Sequence, residues 1–258
     1  MADLTLRICG VTIRLMADDG RFLASARRRY GPFTTAGTPD LSLYLALARE
    51  KFRPFREEPR VVWDGRAGRV ERHDLELDLA PGVGRAAIVR GLSPLDSLLR
   101  IVLSFELVRR GGFLCHSAAV EGWLFPGLSG AGKSTLGRSV PKARLLADEL
   151  VGVGGGKLWG TPFRGDFLIG RNNVVRPLAA ILHLDRHAPR GVRSVGKAEG
   201  LRRLLQCVLY FGDDLRSGRT ILAFASRCVD KVPTFVLSYD ARKTRFSGVE
   251  SMIRDALA

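Results

Sequence analysis

The chain has 258 residues, of which 46% are hydrophobic, and its formal net charge is +15. This apolar content excludes a disordered protein, because it is ample for a folded core. No stretch approaches the ~18 to 20 uncharged apolar residues of a spanning helix, so the sequence argues against an integral membrane protein.

The positive charge comes mostly from arginine, since only seven of the 41 basic residues are lysines. The basic runs are short, as at residues 27–29 and 202–203. Short runs indicate a solvated basic surface and argue against a nucleic-acid partner, which would require a basic stripe or a known binding module. The net charge still favours an anionic ligand.

Two features predict a cytoplasmic protein. The N-terminus has no signal-peptide pattern, because Arg7 and Arg14 interrupt any apolar stretch. The four cysteines are scattered, without a CxxC pair or metal-ligand spacing: Cys9, Cys115, Cys207 and Cys228. Scattered cysteines are typical of reduced thiols rather than of a disulfide scaffold.

The N-terminal region alternates apolar and polar residues in the manner of β-strands. The predicted strands, in chain order, are residues 4–8, 11–15, 41–47, 61–63, 70–79 and 86–89. The first two are expected to form a hairpin, and so are the two strands on either side of Asp64-Gly65. This region contains no recognisable catalytic constellation.

A helix is predicted to follow. Ser93 and Pro94 form a typical start, and the helix should end at Arg109 or Arg110, before two glycines. We place the domain boundary just before this helix. The predicted organisation is therefore a β-rich N-terminal domain at residues 1–92 and a catalytic domain at residues 93–258.

The second region mixes strands and helices. Its predicted strands are residues 113–120, 123–125, 143–147, 150–153, 157–159, 178–184 and 234–238. Helices are expected after the glycine-rich loop near residue 130, at residues 197–210 and 213–228, and from Val249 onward. Strands and helices alternate, but hairpins are inserted, so the sheet should be mixed and the fold class α/β (α+β).

A phosphate-binding loop is the strongest chemical signal in the sequence. Residues 127–134 read GLSGAGKS and match G-x-x-x-x-G-K-(S/T), between a predicted strand and a predicted helix. In such a loop, successive backbone N–H groups converge on phosphate oxygens, and the helix N-terminus adds a favourable dipole. Lys133 should reach the β- and γ-phosphates, and Ser134 should bind Mg²⁺. The predicted nucleotide-binding residues are Gly127, Leu128, Ser129, Gly130, Ala131, Gly132, Lys133, Ser134 and Thr135.

Two adjacent acids form the second signal. Asp148 and Glu149 follow a short apolar strand that comes directly after the loop helix. Acids at the tip of a strand beside a P-loop are well placed for Mg²⁺, so we expect Ser134, Asp148 and Glu149 to be the metal ligands. A pair of carboxylates also permits one to bind metal while the other accepts a proton from a hydroxyl.

A lone His116 in an apolar strand would by itself be interpreted as structural.

Together these residues resemble a known family. The segments HSAAV at residues 116–120, GLSGAGKS at residues 127–134 and RLLADELV at residues 144–151 are similar to HPr kinase/phosphorylase. They are closer still to the HPr-serine-kinase-like proteins found beside peptide-modification genes. In that family a histidine precedes the P-loop, and a short strand after the loop helix carries a pair of acids. The resemblance covers roughly residues 110–185.

The resemblance implies a catalytic domain like that of phosphoenolpyruvate carboxykinase and ATP-dependent phosphorylation of a hydroxyl, often a serine. It implies Lys133 and Ser134 as phosphate and metal contacts, and Asp148, Lys133 and His116 as catalytic residues. Glu149 would be the acid on the metal side. A homo-oligomer would also be compatible with it.

The sequence departs from the family at two points. The second acid is Glu149 rather than Asp, which lengthens its reach by one methylene. The downstream E-(I/V)-R-G signature is absent, and residues 160–166 stand in its place with Asp166 as a substitute contact and Arg164 as the first candidate for binding transferred phosphate. The missing signature argues against phosphorylase activity and against HPr itself as the substrate.

The predicted function is an ATP- and Mg²⁺-dependent kinase that phosphorylates a serine of a protein or peptide. Three alternatives stay open. The first is a small-molecule kinase of the shikimate or nucleoside-monophosphate type, although such kinases usually begin with the P-loop and place a helix after the acid strand. The second is a nucleotide-binding interaction module without phosphotransfer, and the third is a nucleic-acid-dependent ATPase.

Overall fold

A computed structural model describes residues 1–55, 58–128, 130–163, 165, 172–240 and 244–258. Within these ranges the chain forms six α-helices and two mixed β-sheets, in agreement with the expected mixture of helices and strands. None of the described helices is long and apolar enough to cross a bilayer. All four cysteines are buried as thiols.

The chain divides into two compact units. The first consists of Met1–Arg110 with Tyr210–Thr220, and the second of Gly111–Leu209 with Ile221–Ala258. The division therefore follows the helix that begins near residue 92, whereas the sequence analysis places the boundary before that helix.

The first unit contains a mixed sheet. Its strands are β1 (Ala2–Ile8), β2 (Val11–Ala17), β3 (Leu41–Ala48), β4 (Arg60–Trp63), β5 (Gly68–Arg72), β6 (Leu75–Ala80) and β7 (Val83–Val89). They lie in the order β1-β2-β3-β7-β6-β5-β4. The pairs β2/β3 and β3/β7 are parallel and the other pairs are antiparallel.

Most predicted strands of this region are confirmed. The first hairpin turns at Cys9 and Gly10, where Ile8 pairs with Val11. The prediction of one strand at residues 70–79 is wrong, because the chain turns at His73 and Asp74 and pairs β5 with β6.

Two helices of this region contact the first sheet. Helix α1 (Gly20–Arg29), which the sequence analysis did not predict, begins where the Asp19 carboxylate accepts the N–H of Phe22 at 2.9 Å. Helix α2 (Leu92–Arg109) has buried residues on every face, as expected of an interior helix. Asp96 of α2 accepts hydrogen bonds from Arg29 and from the hydroxyl of Tyr30, which joins the end of α1 to α2. A short 3₁₀ helix, Gly31–Phe33, follows α1.

The second unit is built on the other sheet. Its strands are β8 (Gly112–Val120), β9 (Trp123–Pro126), β10 (Leu145–Ala147), β11 (Leu150–Gly154), β12 (Lys157–Trp159), β13 (Val175–Pro177), β14 (Ala180–Leu184), β15 (Gly191–Ser194), β16 (Val208–Leu209) and β17 (Thr234–Ser238). The main order is β13-β12-β11-β8-β9-β14-β17-β15, and β10 and β16 both pair with β8.

The expectation of a mixed sheet in this unit is confirmed. Strands β9, β14 and β17 run parallel to one another, whereas the remaining pairs are antiparallel. The predicted hairpin of β11 and β12 is present as well. Residues 208–209, predicted to end a helix, are instead strand β16, because their backbone pairs with Leu114 and Cys115 of β8.

The remaining helices are α3 (Lys133–Ser139), α4 (Lys197–Leu205), α5 (Leu215–Lys231) and α6 (Phe246–Leu257). Helix α4 contacts β14 and β17. Apolar residues of α3 and α6 pack with those of β8, β9, β14 and β17 in one buried cluster that includes Leu136, Leu182 and Val249. This core fixes the ends of β9 and β14, where the candidate site lies.

Candidate active site

The P-loop leaves β9 after Pro126 and enters α3 at Lys133. The N–H of Ala131 donates to the Leu128 carbonyl at 3.1 Å, and that of Leu136 donates to the Gly132 carbonyl at 2.9 Å, which starts the helix. The predicted strand–loop–helix context of the motif is thus present. Ser134 is half-buried and Thr135 is exposed at the start of α3.

Two glycines of the motif are required by the backbone. Gly132 has φ of 105°, a conformation that L-residues with a side chain rarely adopt. A Cβ on Gly127 would lie 2.8 Å from the Cβ of Ala131, because the loop folds back on itself. These two positions explain why the loop needs glycine there.

Lys133 is buried within the loop. Its ammonium donates to the Gly127 carbonyl at 2.5 Å and to the Leu128 carbonyl at 2.9 Å. Burial lowers its pKa, although Cys207 and Glu149 oppose the shift. The Lys133 ammonium therefore points into the loop, and the Glu149 carboxylate is near enough to act on its pKa.

Strand β8 connects the three predicted motifs. On one of its edges, Ser117 pairs with Pro126, the last residue before the P-loop. On the other edge, Ala119 pairs with Ala147 and His116 with Leu150, the residues that flank the two acids. The sheet thus brings the P-loop and the acids to opposite sides of one strand.

The two carboxylates approach a common point at Gly165. A Cβ built on Gly165 would lie 2.9 Å from Glu149 Oε2 and 3.4 Å from Asp148 Oδ2. Asp148 is fully buried, and the N–H of Ser117 donates to the Glu149 carbonyl at 3.1 Å. Gly165 is thus a position beside both acids where a side chain would press on the Glu149 carboxylate, and the sequence analysis did not identify it.

Side-chain hydrogen bonds hold the chain on both sides of Gly165. The Thr161 hydroxyl donates to the Leu150 carbonyl at 2.6 Å. The Asn172 amide donates to the Leu145 carbonyl at 2.5 Å. Since Leu145 and Leu150 belong to the strands that flank the acids, these bonds attach Thr161 and Asn172 to those strands.

His116 contributes its backbone to this arrangement. Its N–H donates to the Cys207 carbonyl at 2.6 Å, and its carbonyl accepts the Gly127 N–H at 3.5 Å. Burial raises the pKa of the Cys207 thiol. The His116 side chain is half-buried, and its predicted catalytic role stays a prediction.

The oxygens present suit Mg²⁺, a hard cation that prefers carboxylate and hydroxyl ligands together with substrate phosphates. Asp148 and Glu149 supply two carboxylates near one point, and Ser134 supplies a hydroxyl from the loop helix. Among the described residues, no cluster of three or more His, Cys, Asp or Glu side chains is arranged to hold a metal.

A histidine on β14 and an arginine just after it were missed by the sequence analysis. The Arg186 guanidinium lies beside the loop, with Nη1 3.8 Å from a Cβ built on Gly130. His183, on β14, is buried next to the loop. The available signal was a histidine within an apolar strand, followed closely by an arginine.

Two cavities adjoin the loop. The His183 cavity, of about 260 Å³, is lined by Gly127, Leu128, His183, Arg203 and other residues. The Thr135 cavity, of about 370 Å³, is lined by Gly132, Thr135, Tyr239 and other residues. Each cavity also touches Gly130, Ala131 and Arg186.

Three predicted site residues lie outside the described residues, namely Ser129, Arg164 and Asp166.

No protein-family model matches this chain, and no curated protein matches it in sequence. Support for a function therefore comes from the P-loop motif and from the geometry of the residues around it.

Proposed function

We propose that the chain is an ATP- and Mg²⁺-dependent kinase that transfers the γ-phosphoryl group to a hydroxyl, with a serine of a protein or peptide as the expected acceptor. The observation that carries the proposal is the pairing around β8. This strand pairs at one edge with β9, which leads into the P-loop, and at the other edge with β10 and β11, which flank the buried Asp148 and its neighbour Glu149. Phosphoryl transfer needs a phosphate cradle, a cation and an acid in such proximity.

Each group has a defined task in this proposal. The loop N–H groups bind phosphate, and Lys133 neutralises charge that develops on the γ-phosphoryl group. Ser134, Asp148 and Glu149 would hold Mg²⁺, which when bound would supply further positive charge to the phosphates. Asp148 orients the acceptor hydroxyl and takes its proton. The acceptor oxygen bonds to the γ-phosphorus while the bond to the β,γ-bridging oxygen breaks, and ADP leaves with that electron pair.

The chain segment after the acids favours the HPr-kinase-like alternative among kinases. In shikimate-type or nucleoside-monophosphate kinases a helix is expected to follow the acid strand, whereas here the β11–β12 hairpin follows Glu149. We therefore also propose that the second unit has the phosphoenolpyruvate-carboxykinase-like fold. The long chain before the P-loop supports the same choice.

Transfer of labelled γ-phosphate from ATP tests the proposal. The protein with Mg²⁺ is offered seryl peptides in one assay and a pool of small hydroxylated metabolites in another. Labelled peptide supports the proposal, and labelled metabolite supports the small-molecule alternative. ATP binding without turnover in either assay would favour a nucleotide-binding module, and hydrolysis that requires added DNA or RNA would favour a nucleic-acid-dependent ATPase.

A further inference from the structure

A cavity of about 480 Å³ in the first unit is lined in part by arginines, namely Arg66, Arg109 and Arg216. These three come from distant parts of the chain. Arg66 lies in the turn between β4 and β5, Arg109 ends α2, and Arg216 lies in the first turn of α5. All the lining residues that the structure describes belong to the first unit, so the fold of that unit assembles the site. We call it the Arg216 cavity.

The aliphatic part of Arg216 packs against the turn that carries Arg66. A Cβ built on Gly65 would lie 3.1 Å from Arg216 Cδ and 3.5 Å from Arg216 Cβ. Gly65 also has φ of 89°, a conformation that favours glycine. This glycine therefore lets the stem of one arginine lie beside the residue that precedes the other, and both arginines line the same cavity.

Two of the three guanidinium groups are available to a ligand. Arg109 pairs with Glu106 at 2.6 Å. Within the described ranges, neither Arg66 nor Arg216 lies within 4 Å of a carboxylate oxygen in an ion pair, and both residues are exposed. Binding an anion there would not require an existing ion pair to break.

The acids near these arginines are bound by other groups of the first unit. Asp64 accepts the N–H groups two and three residues further along the chain, both at 2.7 Å. Asp214 accepts the hydroxyl of Tyr210 at 2.7 Å and the N–H of Ser217 at 2.8 Å. None of the described residues that line the cavity is acidic. The charged groups that line it are therefore cations.

The size and the lining of the cavity define the class of ligand. Its volume lies within the ~300 to 1,000 Å³ of sites that enclose ligands much larger than a single inorganic anion. A guanidinium can bind a carboxylate through two parallel N–H···O bonds. Pro81 and Val108 add apolar atoms to the wall, which suit the methylene groups of acidic side chains. A peptide with neighbouring carboxylates supplies both kinds of contact.

We propose that the Arg216 cavity binds an acidic segment of a peptide or protein, with carboxylates of that segment on Arg66 and Arg216. This site goes beyond the proposed function, because binding there requires no phosphotransfer by the second unit. It also gives a local meaning to part of the net charge of +15. The two free cations are brought together by the fold and do not belong to a basic run of the sequence.

Fluorescence anisotropy with the full-length protein tests this proposal. The probe is a fluorescein-labelled peptide of four glutamates, and the control probe is the same peptide with four glutamines. Both are titrated at ~150 mM salt, where the Debye length of ~8 Å screens general attraction to a basic protein. We expect saturable binding of the glutamate peptide only. Unlabelled inorganic phosphate and citrate should displace it far less effectively than the unlabelled glutamate peptide does.

Two double variants separate this cavity from the general positive charge. Arg66→Ala combined with Arg216→Ala should weaken binding of the glutamate peptide by about tenfold, as expected for the loss of two partly exposed ion pairs. The matched control combines Arg21→Ala with Arg27→Ala, which removes the same charge from exposed positions of α1 in the same unit. Its affinity should stay within about twofold of the wild type, because only screened, distant charges are lost.

Backbone amide resonances of the ¹⁵N-labelled full chain locate the bound peptide without any substitution. The glutamate peptide should shift the amide signals of Gly65, Arg66 and Ser217 and leave those of α1 in place. This measurement keeps the test valid if the Arg66→Ala and Arg216→Ala double variant folds poorly.

Four results would overturn the proposal. One is the absence of saturable binding, and another is an equal loss of affinity in the two double variants, which would indicate general attraction to a basic surface. Displacement by phosphate or citrate at the same concentration as by the unlabelled peptide would assign the cavity to small anions. Amide shifts confined to the P-loop would place the peptide at the candidate active site. Transfer of labelled γ-phosphate is measured separately, so failure of the proposed function is distinguishable from all four.

Discussion

The Lys133 ammonium donates to the Gly127 carbonyl at 2.5 Å, so the cation and the first glycine of the P-loop are joined within the loop itself. A second bond to the Leu128 carbonyl completes this arrangement. Lys133 must exchange these carbonyls for phosphate oxygens when it reaches the β- and γ-phosphates. Its substitution should therefore affect phosphate chemistry more than it affects the fold.

Lys133→Ala should lower the rate of phosphotransfer by about 10² or more, the typical cost of removing one preorganised group that stabilises charge in a transition state. The measurement is initial-rate kinetics with labelled ATP. Lys142→Ala is the matched control, because Lys142 is exposed and lies shortly after α3. Transfer at the wild-type rate by Lys133→Ala would remove the lysine from the mechanism.

The two acids should differ in their effects. Asp148→Asn should weaken Mg²⁺ binding and, even at saturating Mg²⁺, lower the turnover rate by roughly 10²–10⁴ through loss of proton acceptance. Glu149→Gln should mainly raise the Mg²⁺ concentration needed for half-maximal rate. Rates measured over a Mg²⁺ titration separate the two outcomes. Asp230→Asn, a half-exposed carboxylate paired with Lys197, should change neither quantity. Identical profiles for the two variants would contradict the division of roles.

Gly165→Ala should displace the Glu149 carboxylate and leave that of Asp148, 3.4 Å from the new Cβ, in ordinary contact. The new Cβ would lie 2.9 Å from Glu149 Oε2, closer than side-chain carbons normally approach an oxygen. We expect Mg²⁺ affinity to fall by about 10-fold to 100-fold, as for other changes next to metal ligands. Gly218→Ala is the control, since a Cβ there meets nothing within 4 Å. An unchanged Mg²⁺ titration for Gly165→Ala would show that the Glu149 carboxylate beside Gly165 does not bind the metal.

Arg186→Ala should weaken the interaction with ATP by about tenfold, because its guanidinium lies next to Gly130 of the loop and can form charge-assisted hydrogen bonds with phosphate. Isothermal titration calorimetry with AMPPNP measures the change. Arg176→Ala, which removes an exposed arginine of β13, should bind normally. Equal affinities for both variants would exclude Arg186 from nucleotide binding.

Acid should destabilise the second unit through Glu250. Hydrogen bonds from Arg144 and Arg254 lower the pKa of Glu250 from 4.5 to about 2. A depressed carboxylate pKa contributes stability that is fully present above 4.5 and is lost as the pH falls toward 2. Unfolding measured by urea titration at several pH values should therefore show a steeper acid loss for the wild type than for Glu250→Gln. Parallel curves would contradict this linkage.

Strongly periodic elements were predictable because their patterns report burial directly. Strand β17 was predicted with its observed bounds, and the β1–β2 hairpin turns where expected. Helix α1 was missed because its signals are local and weak. It has an N-cap at Asp19 and few buried residues. Its last turn consists of Arg27, Arg28 and Arg29, which in the sequence were interpreted only as a short basic run.

Tertiary pairing accounts for the other differences. The turn at His73 and Asp74 contains no glycine or proline, and Asp74 alone is a weak turn signal between two apolar-alternating segments, so the end of β5 was not predicted. In the site, the P-loop and the acids could be found because each is a short contiguous motif. His183, Arg186 and Gly165 reach the site only through the folding of distant segments, and neither spacing nor composition indicates such contacts.

The discontinuity of the first unit has a consequence for biosynthesis. The Phe105 ring packs edge-on against Tyr210 at 5.6 Å, and the Tyr210 hydroxyl donates to Asp214 at 2.7 Å. Because Tyr210–Thr220 belongs to the unit that begins at Met1, that unit cannot complete its packing until the ribosome has translated nearly the whole of the second sheet. The Phe105 ring therefore lacks its contact with Tyr210 while the P-loop and both acids are being synthesised.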